Sequence, residues 1–274
     1  MLGEKKTSLF GASGGNAGLA LAVAAATLKV PCTVFVPETT MPMMRAKIAA
    51  ANARVVVFGE HFAVADEAAK RECAMTAGAG YVHAFDDPVI WDGHASIVEE
   101  MREQLKGEVP STIVLSVGGG GLLLGVNEGL KRVGWAEKVR IVCVETRGAE
   151  SFHQCIVTGT HARLDGIRSV AKTLGAVQVC RAAFELAMEK KNSQIRSVLV
   201  SDDEALDAIG LLRACPEAGG KLVEPACAAA LAAVAKRGFL DERDTMVVVI
   251  VCGGNAVSDE LLAQYRREAY RPYN

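Results

Sequence analysis

The sequence predicts an α/β protein with parallel sheets, arranged as two domains. Short apolar runs alternate with longer helical patterns along its 274 residues, which is typical of parallel strands joined by helical crossovers. The runs T-I-V-L-S-V and M-V-V-V-I-V-C are almost entirely apolar, as expected for strands buried on both faces. Glycine-rich turns follow three of the predicted strands, at the edge where parallel sheets bind their ligands.

Most of the chain is assigned to regular elements by these patterns. The predicted strands are Ser8–Gly11, Cys32–Val36, Arg54–Phe58, Tyr81–His83, Thr112–Val117, Val139–Glu145, Ser197–Val200 and Met246–Cys252. The predicted helices are Asn16–Leu28, Pro42–Ala51, His61–Ala77, His94–Leu105, Gly121–Val133, Val179–Glu189, Asp203–Ala214, Pro225–Lys236 and Asp259–Arg267. The stretch Phe152–Val179 is irregular, and we expect loops and a short helix there.

A domain boundary is predicted at the F-D-D-P segment, Phe85–Pro88. Short strand–helix units precede this segment, and longer units follow it. We therefore expect a small α/β domain at residues 1–86 and a large one at residues 87–274, each built on an open, twisted parallel sheet.

Composition and charge exclude several classes of protein. The formal net charge is -2, with 23% charged residues, so no nucleic-acid or anionic-membrane partner is expected. The apolar stretch Leu19–Ala26 is far shorter than the roughly 20 residues of a membrane span, and we find no secretory signal pattern. The eight cysteines form no C-x-x-C pair, which indicates reduced thiols, a cytoplasmic protein and no structural zinc site.

The sharpest chemical signal is the tetraglycine turn Gly118–Gly121. Four adjacent residues without side chains expose their N–H groups just before a predicted helix, an arrangement that favours a bound phosphate. A tight turn packed under a neighbouring helix is the structural alternative. No G-K-[ST] follows the glycines, and G-x-G-x-x-G occurs in none of the glycine clusters. These absences disfavour nucleoside triphosphates and dinucleotides, and leave a small phosphorylated cofactor.

Two further turns contribute candidate ligands. Ser13, with the N–H groups around Gly14 and Gly15, is suited to a carboxylate, and Asn16 to a ring hydroxyl, although both side chains are also common helix caps. Cys252 ends an apolar run before two glycines. It is either a ligand contact or a small buried hydrophobe. Turns at the carboxyl ends of parallel strands are expected to converge on one cleft.

Taken together, the motifs identify a family. They are S-G-G-N-A-G, F-D-D-P-V-I-W-D-G-H-A-S-I, L-S-V-G-G-G-G-L-L, V-E-T-R-G-A-E-S-F-H, S-V-A-K-T-L-G, L-V-E-P-A-C-A-A-A-L-A-A-V and V-V-I-V-C-G-G-N. They resemble segments of the L-serine/L-threonine dehydratases among the fold-type-II pyridoxal-phosphate enzymes, and especially the animal-type and serine-dehydratase-like members. The similar segments recur in order from Thr7 to about Glu260.

This resemblance implies a tryptophan-synthase-β-like fold, with the cofactor in the large domain, and a set of roles for particular residues. The cofactor phosphate would be bound by backbone N–H groups of Gly118, Gly119, Gly120, Gly121 and Leu122, the pyridoxal hydroxyl by Asn16, and the pyridine nitrogen by Cys252. The substrate carboxylate would lie against Ser13 and Gly14. A monovalent cation such as K⁺ would be bound by Glu145 and by carbonyl groups of Gly118, Ala149 and Leu174, since hard oxygen ligands suit such an ion. A solvated strand end is the alternative for Glu145.

The implied reaction is β-elimination from an amino acid during amino-acid catabolism and gluconeogenesis. Serine would give pyruvate and ammonia, and threonine would give 2-oxobutanoate and ammonia. The resemblance also implies a homodimer. Two alternatives stay open: a non-catalytic protein that binds pyridoxal phosphate or an amino acid, and a fold-type-II synthase or racemase.

Two features depart from the family pattern. Gly14 stands where the family commonly has serine or alanine, and a glycine there is expected to loosen the carboxylate loop. The family's S-x-K-x-[RN] motif, whose lysine carries the cofactor, is absent. Lys5 and Lys6 precede the strand Ser8–Gly11, and a strand of about five residues, which spans about 17 Å, would separate them from the first glycine turn. We therefore expect the N-terminal part of the large domain to be missing, assign no catalytic residue, and expect this chain as given not to catalyse dehydration.

Overall fold

The chain divides into two compact units, Met1–Asp87 and Pro88–Asn274. The computed structural model describes residues 6–190, 194–236, 238–240 and 242–269. Each unit contains a parallel sheet covered by helices, with four strands in the described residues. The prediction of two α/β domains with parallel sheets is confirmed. The boundary predicted from sequence lies one residue before the division between the units.

The first unit is built on the strand order β3-β2-β1-β4. Its strands are β1 (Ser8–Ala12), β2 (Cys32–Val36), β3 (Arg54–Val57) and β4 (Ala79–Tyr81). Its helices are α1 (Asn16–Leu28), α2 (Pro42–Ala50) and α3 (Phe62–Met75). Small residues let α1 approach the sheet closely, since its buried face consists of Gly18, Ala22 and Ala25. This places the N-terminus of α1 directly after the carboxyl end of β1.

The second unit has the strand order β7-β6-β5-β8. Its strands are β5 (Thr112–Ser116), β6 (Arg140–Thr146), β7 (Ile195–Val200) and β8 (Val247–Val249). Its α-helices are α4 (Pro88–Gln104), α5 (Gly121–Arg132), α6 (Ser151–Thr158), α7 (Arg181–Lys190), α8 (Asp202–Ala214), α9 (Pro225–Lys236) and α10 (Asp259–Ala269). Short 3₁₀ turns cover Lys172–Leu174 and Pro216–Ala218.

Glycines determine how closely α5 packs against α4. A Cβ added at Gly125 would lie 2.3 Å from Cβ of His94, and one added at Gly129 would lie 2.6 Å from the carbonyl oxygen of Ala95. Both distances are shorter than real Cβ contacts, so the two helices approach along this glycine face. The close contact fixes α5, and with it the tetraglycine turn at the N-terminus of that helix.

The prediction for the last strand is wrong in length and in burial. The apolar run predicted Met246–Cys252, but β8 covers only Val247–Val249, and its residues are half-buried. In the described sheet β8 pairs with β5 on one side only. The N–H of Ile250 still donates to the carbonyl of Val114 at 2.9 Å, after which the chain leaves the sheet. Cys252 therefore follows the strand instead of ending it.

Several other boundaries also differ from the prediction. Helix α4 begins at Pro88, six residues earlier than predicted, because proline suits the first helical position and Gly93 does not interrupt the helix. Strand β4 ends at Tyr81, because Nδ1 of His83 accepts the backbone N–H groups of Phe85 and Asp86 and forms a turn. The stretch expected to contain loops and a short helix does contain a short helix, α6, whose eight residues begin at Ser151. In the described ranges no helix is long and apolar enough to span a membrane.

Candidate cofactor site

The tetraglycine turn Gly118–Gly121 is held in place by contacts that require glycine. Gly120 has a φ of 98°, and a Cβ added there would lie 2.5 Å from Cβ of Ala183. Residues other than glycine rarely adopt that backbone conformation. The short distance to Ala183 leaves no room for a side chain at Gly120. The carbonyl of Gly119 accepts the N–H of Cys180 at 2.9 Å. The segment that leads into α7 therefore fixes the turn from one side.

The same turn leaves its hydrogen-bond donors open. Helix α5 has no capping side chain, and among the described residues no protein acceptor pairs with the backbone N–H groups of Gly118–Leu122. A run of open N–H groups at the positive end of a helix is a ready site for an anion. The residues present thus fit a phosphate group, and packing under a neighbouring helix accounts for only part of the turn.

A second glycine turn follows β8. Cys252 is exposed as a residue, yet the protein atoms around the thiol desolvate it and raise its pKa to about 11. The thiol is therefore neutral at physiological pH. The N–H of Gly253 donates to Sγ of Cys227 at 3.2 Å. The arrangement fits a ring nitrogen that is kept unprotonated beside a neutral S–H group.

Glu145 is fully buried in β6, which excludes the solvated strand end as its role. Its carboxylate accepts the backbone N–H groups of Phe152 at 2.8 Å and His153 at 2.7 Å. Both belong to the first turn of α6, whose donors would otherwise be unpaired. Burial raises the pKa of Glu145 to about 8, and the two N–H groups oppose that rise in part.

The other predicted cation ligands are backbone carbonyls of the same unit. A Cβ added at Gly118 would lie 3.3 Å from the carbonyl oxygen of Leu174, so these two residues are neighbours. That oxygen also accepts the N–H of Ala176 at 2.8 Å, and Ala149 lies just before α6, where its N–H donates to the carbonyl of Thr146 at 2.9 Å. In the described ranges no three His, Cys, Asp or Glu side chains form a metal cluster. Backbone carbonyl ligands would suit a hard cation better than a transition metal.

The side chain of Asp202 forms hydrogen bonds with the S-V-A-K-T-L-G segment. The sequence alone did not identify this residue as part of the candidate site. It lies in the first turn of α8. Its carboxylate accepts the hydroxyl of Ser169 at 2.5 Å and the N–H of Val170 at 3.0 Å. Ser169 is also 2.8 Å from the hydroxyl of Thr146 at the end of β6. This buried network fixes the segment that presents the carbonyl of Leu174.

In the first unit, the turn between β1 and α1 carries the predicted substrate-carboxylate residues. The hydroxyl of Ser13 accepts the N–H of Gly15 at 3.1 Å. Gly15 is the N-cap of α1 and contributes no capping side chain, so neither Ser13 nor Asn16 occupies the capping position. A Cβ added at Gly14 would lie 2.1 Å from Oγ1 of Thr40. Thr40 fills the space beside Gly14. The structure therefore does not show the loosened loop that was expected at this glycine.

The contact between Gly14 and Thr40 predicts that substitutions at the two positions are coupled. We expect Gly14→Ala to destabilise the first unit by about 1–3 kcal/mol, as overpacking generally does. Thr40→Ala removes the two nearest atoms, so Gly14→Ala should cost much less in that background. Denaturant unfolding of both single variants and the double variant measures the coupling. Additive effects would contradict this account of the contact.

Lys6 lies at the opposite end of β1 from this turn. It is exposed, and its side chain packs beside Gly80 of β4. The five residues of β1 separate it from Ser13, a distance of about 17 Å. This placement fits a solvated lysine. Lys5 lies outside the described residues.

Comparison with known proteins agrees with this geometry. The human protein "L-serine dehydratase/L-threonine deaminase" is 45% identical over 262 residues, which cover 93% of this chain and 76% of that protein. Mouse "Serine dehydratase-like" is 41% identical over 264 residues, covering 93% of this chain and 77% of its own length. The crystal structure of a fungal L-serine ammonia-lyase from Rhizomucor miehei superposes with a TM-score of 0.83 at 30% identity, covering 96% of this chain and 82% of that one.

The family profile described as "Pyridoxal-phosphate dependent enzyme" matches residues 2–253. That range includes β1 to β8, the tetraglycine turn and Cys252. The chain therefore belongs to the family of pyridoxal-phosphate-dependent enzymes.

Proposed function

We propose that the chain is an L-serine/L-threonine dehydratase, which eliminates water from a β-hydroxy amino acid and releases a 2-oxo acid and ammonia. The observation that carries the proposal is the open row of N–H groups at Gly118–Leu122, found in a chain of the pyridoxal-phosphate family. Relatives and a structural neighbour named for this activity support the assignment.

Each proposed role follows from the chemistry of the residue. Pyridoxal phosphate, when bound, supplies an electron sink for the electrons left at Cα of the substrate. The N–H groups of Gly118–Leu122 would bind its phosphate, and Asn16 would donate to its ring hydroxyl. Ser13 and Gly14 bind the substrate carboxylate. The neutral thiol of Cys252 would contact the ring nitrogen and leave that nitrogen unprotonated, which would favour elimination over deeper carbanion chemistry.

A monovalent cation belongs to the same proposal. Glu145 is a buried acid with a raised pKa, and a nearby cation would favour its charged form. The carbonyls of Gly118, Ala149 and Leu174 are the proposed further ligands. K⁺ suits such a site because it gives up its water more readily than a smaller ion. A homodimer and a cytoplasmic location stay predictions from sequence.

The proposal is tested by binding and by product release. Pyridoxal phosphate should bind the chain saturably and far more tightly than pyridoxal, which lacks the phosphate. Because S-x-K-x-[RN] is absent from these residues, product release is measured on a chain joined to a segment with that motif. Pyruvate from L-serine or 2-oxobutanoate from L-threonine is the expected product. Release of D-serine instead would indicate a racemase, and tight binding without any product would indicate a non-catalytic binding protein.

A further inference from the structure

Glu224 is a buried carboxylate of the second unit, 3% exposed, to which the proposed reaction assigns no role. It directly precedes α9, and its backbone carbonyl accepts the N–H groups of Cys227 at 3.0 Å and Ala228 at 2.9 Å. Its side chain reaches two other segments. Oε1 accepts the backbone N–H of Ala256 at 2.7 Å, and Oε2 accepts the hydroxyl of Thr173. A residue that only started the helix would not need these two contacts.

The turn that follows Cys252 is shaped around this carboxylate. The N–H of Glu224 donates to the carbonyl of Gly253 at 3.1 Å, and its side chain accepts the N–H of Ala256, so the turn is bound at both ends. Gly254 lies between them with a φ of 121°, and a Cβ added there would lie 2.4 Å from Oε1 of Glu224. The carboxylate occupies the space that any side chain at Gly254 would need.

Thr173 connects the same carboxylate to a third segment. It lies in the 3₁₀ turn Lys172–Leu174, and the next residue, Leu174, has its carbonyl beside Gly118 of the tetraglycine turn. Glu224 therefore connects the 3₁₀ turn beside the tetraglycine turn with the turn that begins after Cys252. A shift of its side chain would release the turn at Ala256 and change the packing at Gly254, two residues after Cys252.

We propose that Glu224 is a positioning residue that, with the hydroxyl of Thr173, holds the Cys252 thiol at the pyridine nitrogen of the bound cofactor. The inference rests on the proposed function, because it requires the cofactor ring to lie against Cys252. It goes beyond that function in assigning the ring-nitrogen contact to a buried carboxylate that does not itself contact the cofactor. Removing the Thr173 hydroxyl should weaken only those interactions that pass through the ring nitrogen.

The test compares two ligands that do not need a lysine for binding. Pyridoxamine 5'-phosphate is the probe, and its analogue with C–H in place of the ring nitrogen is the reference. Thr173→Val removes the hydroxyl at nearly constant volume, and Thr173→Ser keeps it. We expect Thr173→Val to weaken binding of the probe about fivefold, the worth of one modest hydrogen bond, and to leave binding of the reference unchanged. Thr173→Ser should bind both ligands like the unsubstituted chain.

Equal losses for the two ligands would show a merely structural role and overturn the proposal, as would unchanged affinity for both. Glu224→Gln is the second variant, and it should show the same selectivity for the probe if it folds. Thr173 is exposed, so Thr173→Val keeps the test valid if Glu224→Gln fails to fold. If the unsubstituted chain binds neither ligand, the proposed function itself is contradicted, and the inference fails with it.

Discussion

Gly119→Asp is expected to abolish binding of pyridoxal phosphate without unfolding the second unit. The substitution adds a negative side chain to the row of N–H groups at Gly118–Leu122, where a second negative group would have to bind. Charge-assisted hydrogen bonds contribute about 1.5–3 kcal/mol each, so the loss of two of them weakens binding at least about a hundredfold. The affinity is measured by titration with pyridoxal phosphate, and the fold by circular dichroism.

Gly119 is a better position for this test than its neighbour Gly120. Any side chain at Gly120 would meet Ala183 and would strain a backbone with φ of 98°, so loss of binding there could reflect misfolding. Gly210→Asp is the matched control. It adds the same charge to an exposed position of α8, where an added Cβ has no neighbour within 4 Å, and it should bind the cofactor normally. Unchanged affinity in Gly119→Asp would remove the phosphate from this turn.

Most of the fold could be predicted because periodicity and turn chemistry agree along the chain. Strand β2 and helices α1 and α9 have the predicted bounds. The prediction of the last strand was wrong for a definite reason. A run of apolar residues predicts burial on both faces, but sequence does not tell which strand lies at the edge of a sheet. In the described sheet β8 lies at that edge, so it is shorter and more exposed than its composition indicates.

In the candidate site, too, some residues could be predicted from the sequence and others could not. The tetraglycine turn could be found because consecutive glycines are a local pattern with a physical meaning. Thr40, Asp202 and Glu224 could not be found, because each acts on a residue distant in sequence. Asp202 holds Ser169, and Glu224 holds Ala256. In the sequence alone, an isolated acidic or hydroxyl side chain at the start of a helix is interpreted as an ordinary N-cap. Only the folded structure shows which residues it contacts. The short segment Ser201–Glu204 is a true capping box, which shows how similar the two cases look in sequence.

The second large effect is a pH dependence of stability due to Glu145. Its pKa is about 8 in the folded chain, against an ordinary value of 4.5. Because the folded state holds the proton more tightly, its contribution to stability is complete below about pH 4.5 and is lost as the pH rises through about 8. A shift of this size corresponds to about 5 kcal/mol. Glu145→Gln cannot titrate, so its stability relative to the unsubstituted chain should increase across that range. Glu185→Gln, at an exposed position of α7, should show no such trend.

The same titration predicts when a bound cation will matter. K⁺ stabilises the folded state by binding it, and it binds the charged carboxylate of Glu145 better than the protonated form. At equal ionic strength, KCl should therefore raise the unfolding temperature above that in LiCl at pH 9, whereas the two salts should give the same temperature at pH 5. Glu145→Gln should abolish the difference at pH 9, and Glu185→Gln should retain it. Equal unfolding temperatures in both salts at pH 9 would remove Glu145 from the proposed cation site. A difference that survives in Glu145→Gln and still depends on pH would place the cation elsewhere, because the carbonyls of Gly118, Ala149 and Leu174 do not titrate and cannot by themselves make K⁺ binding depend on pH.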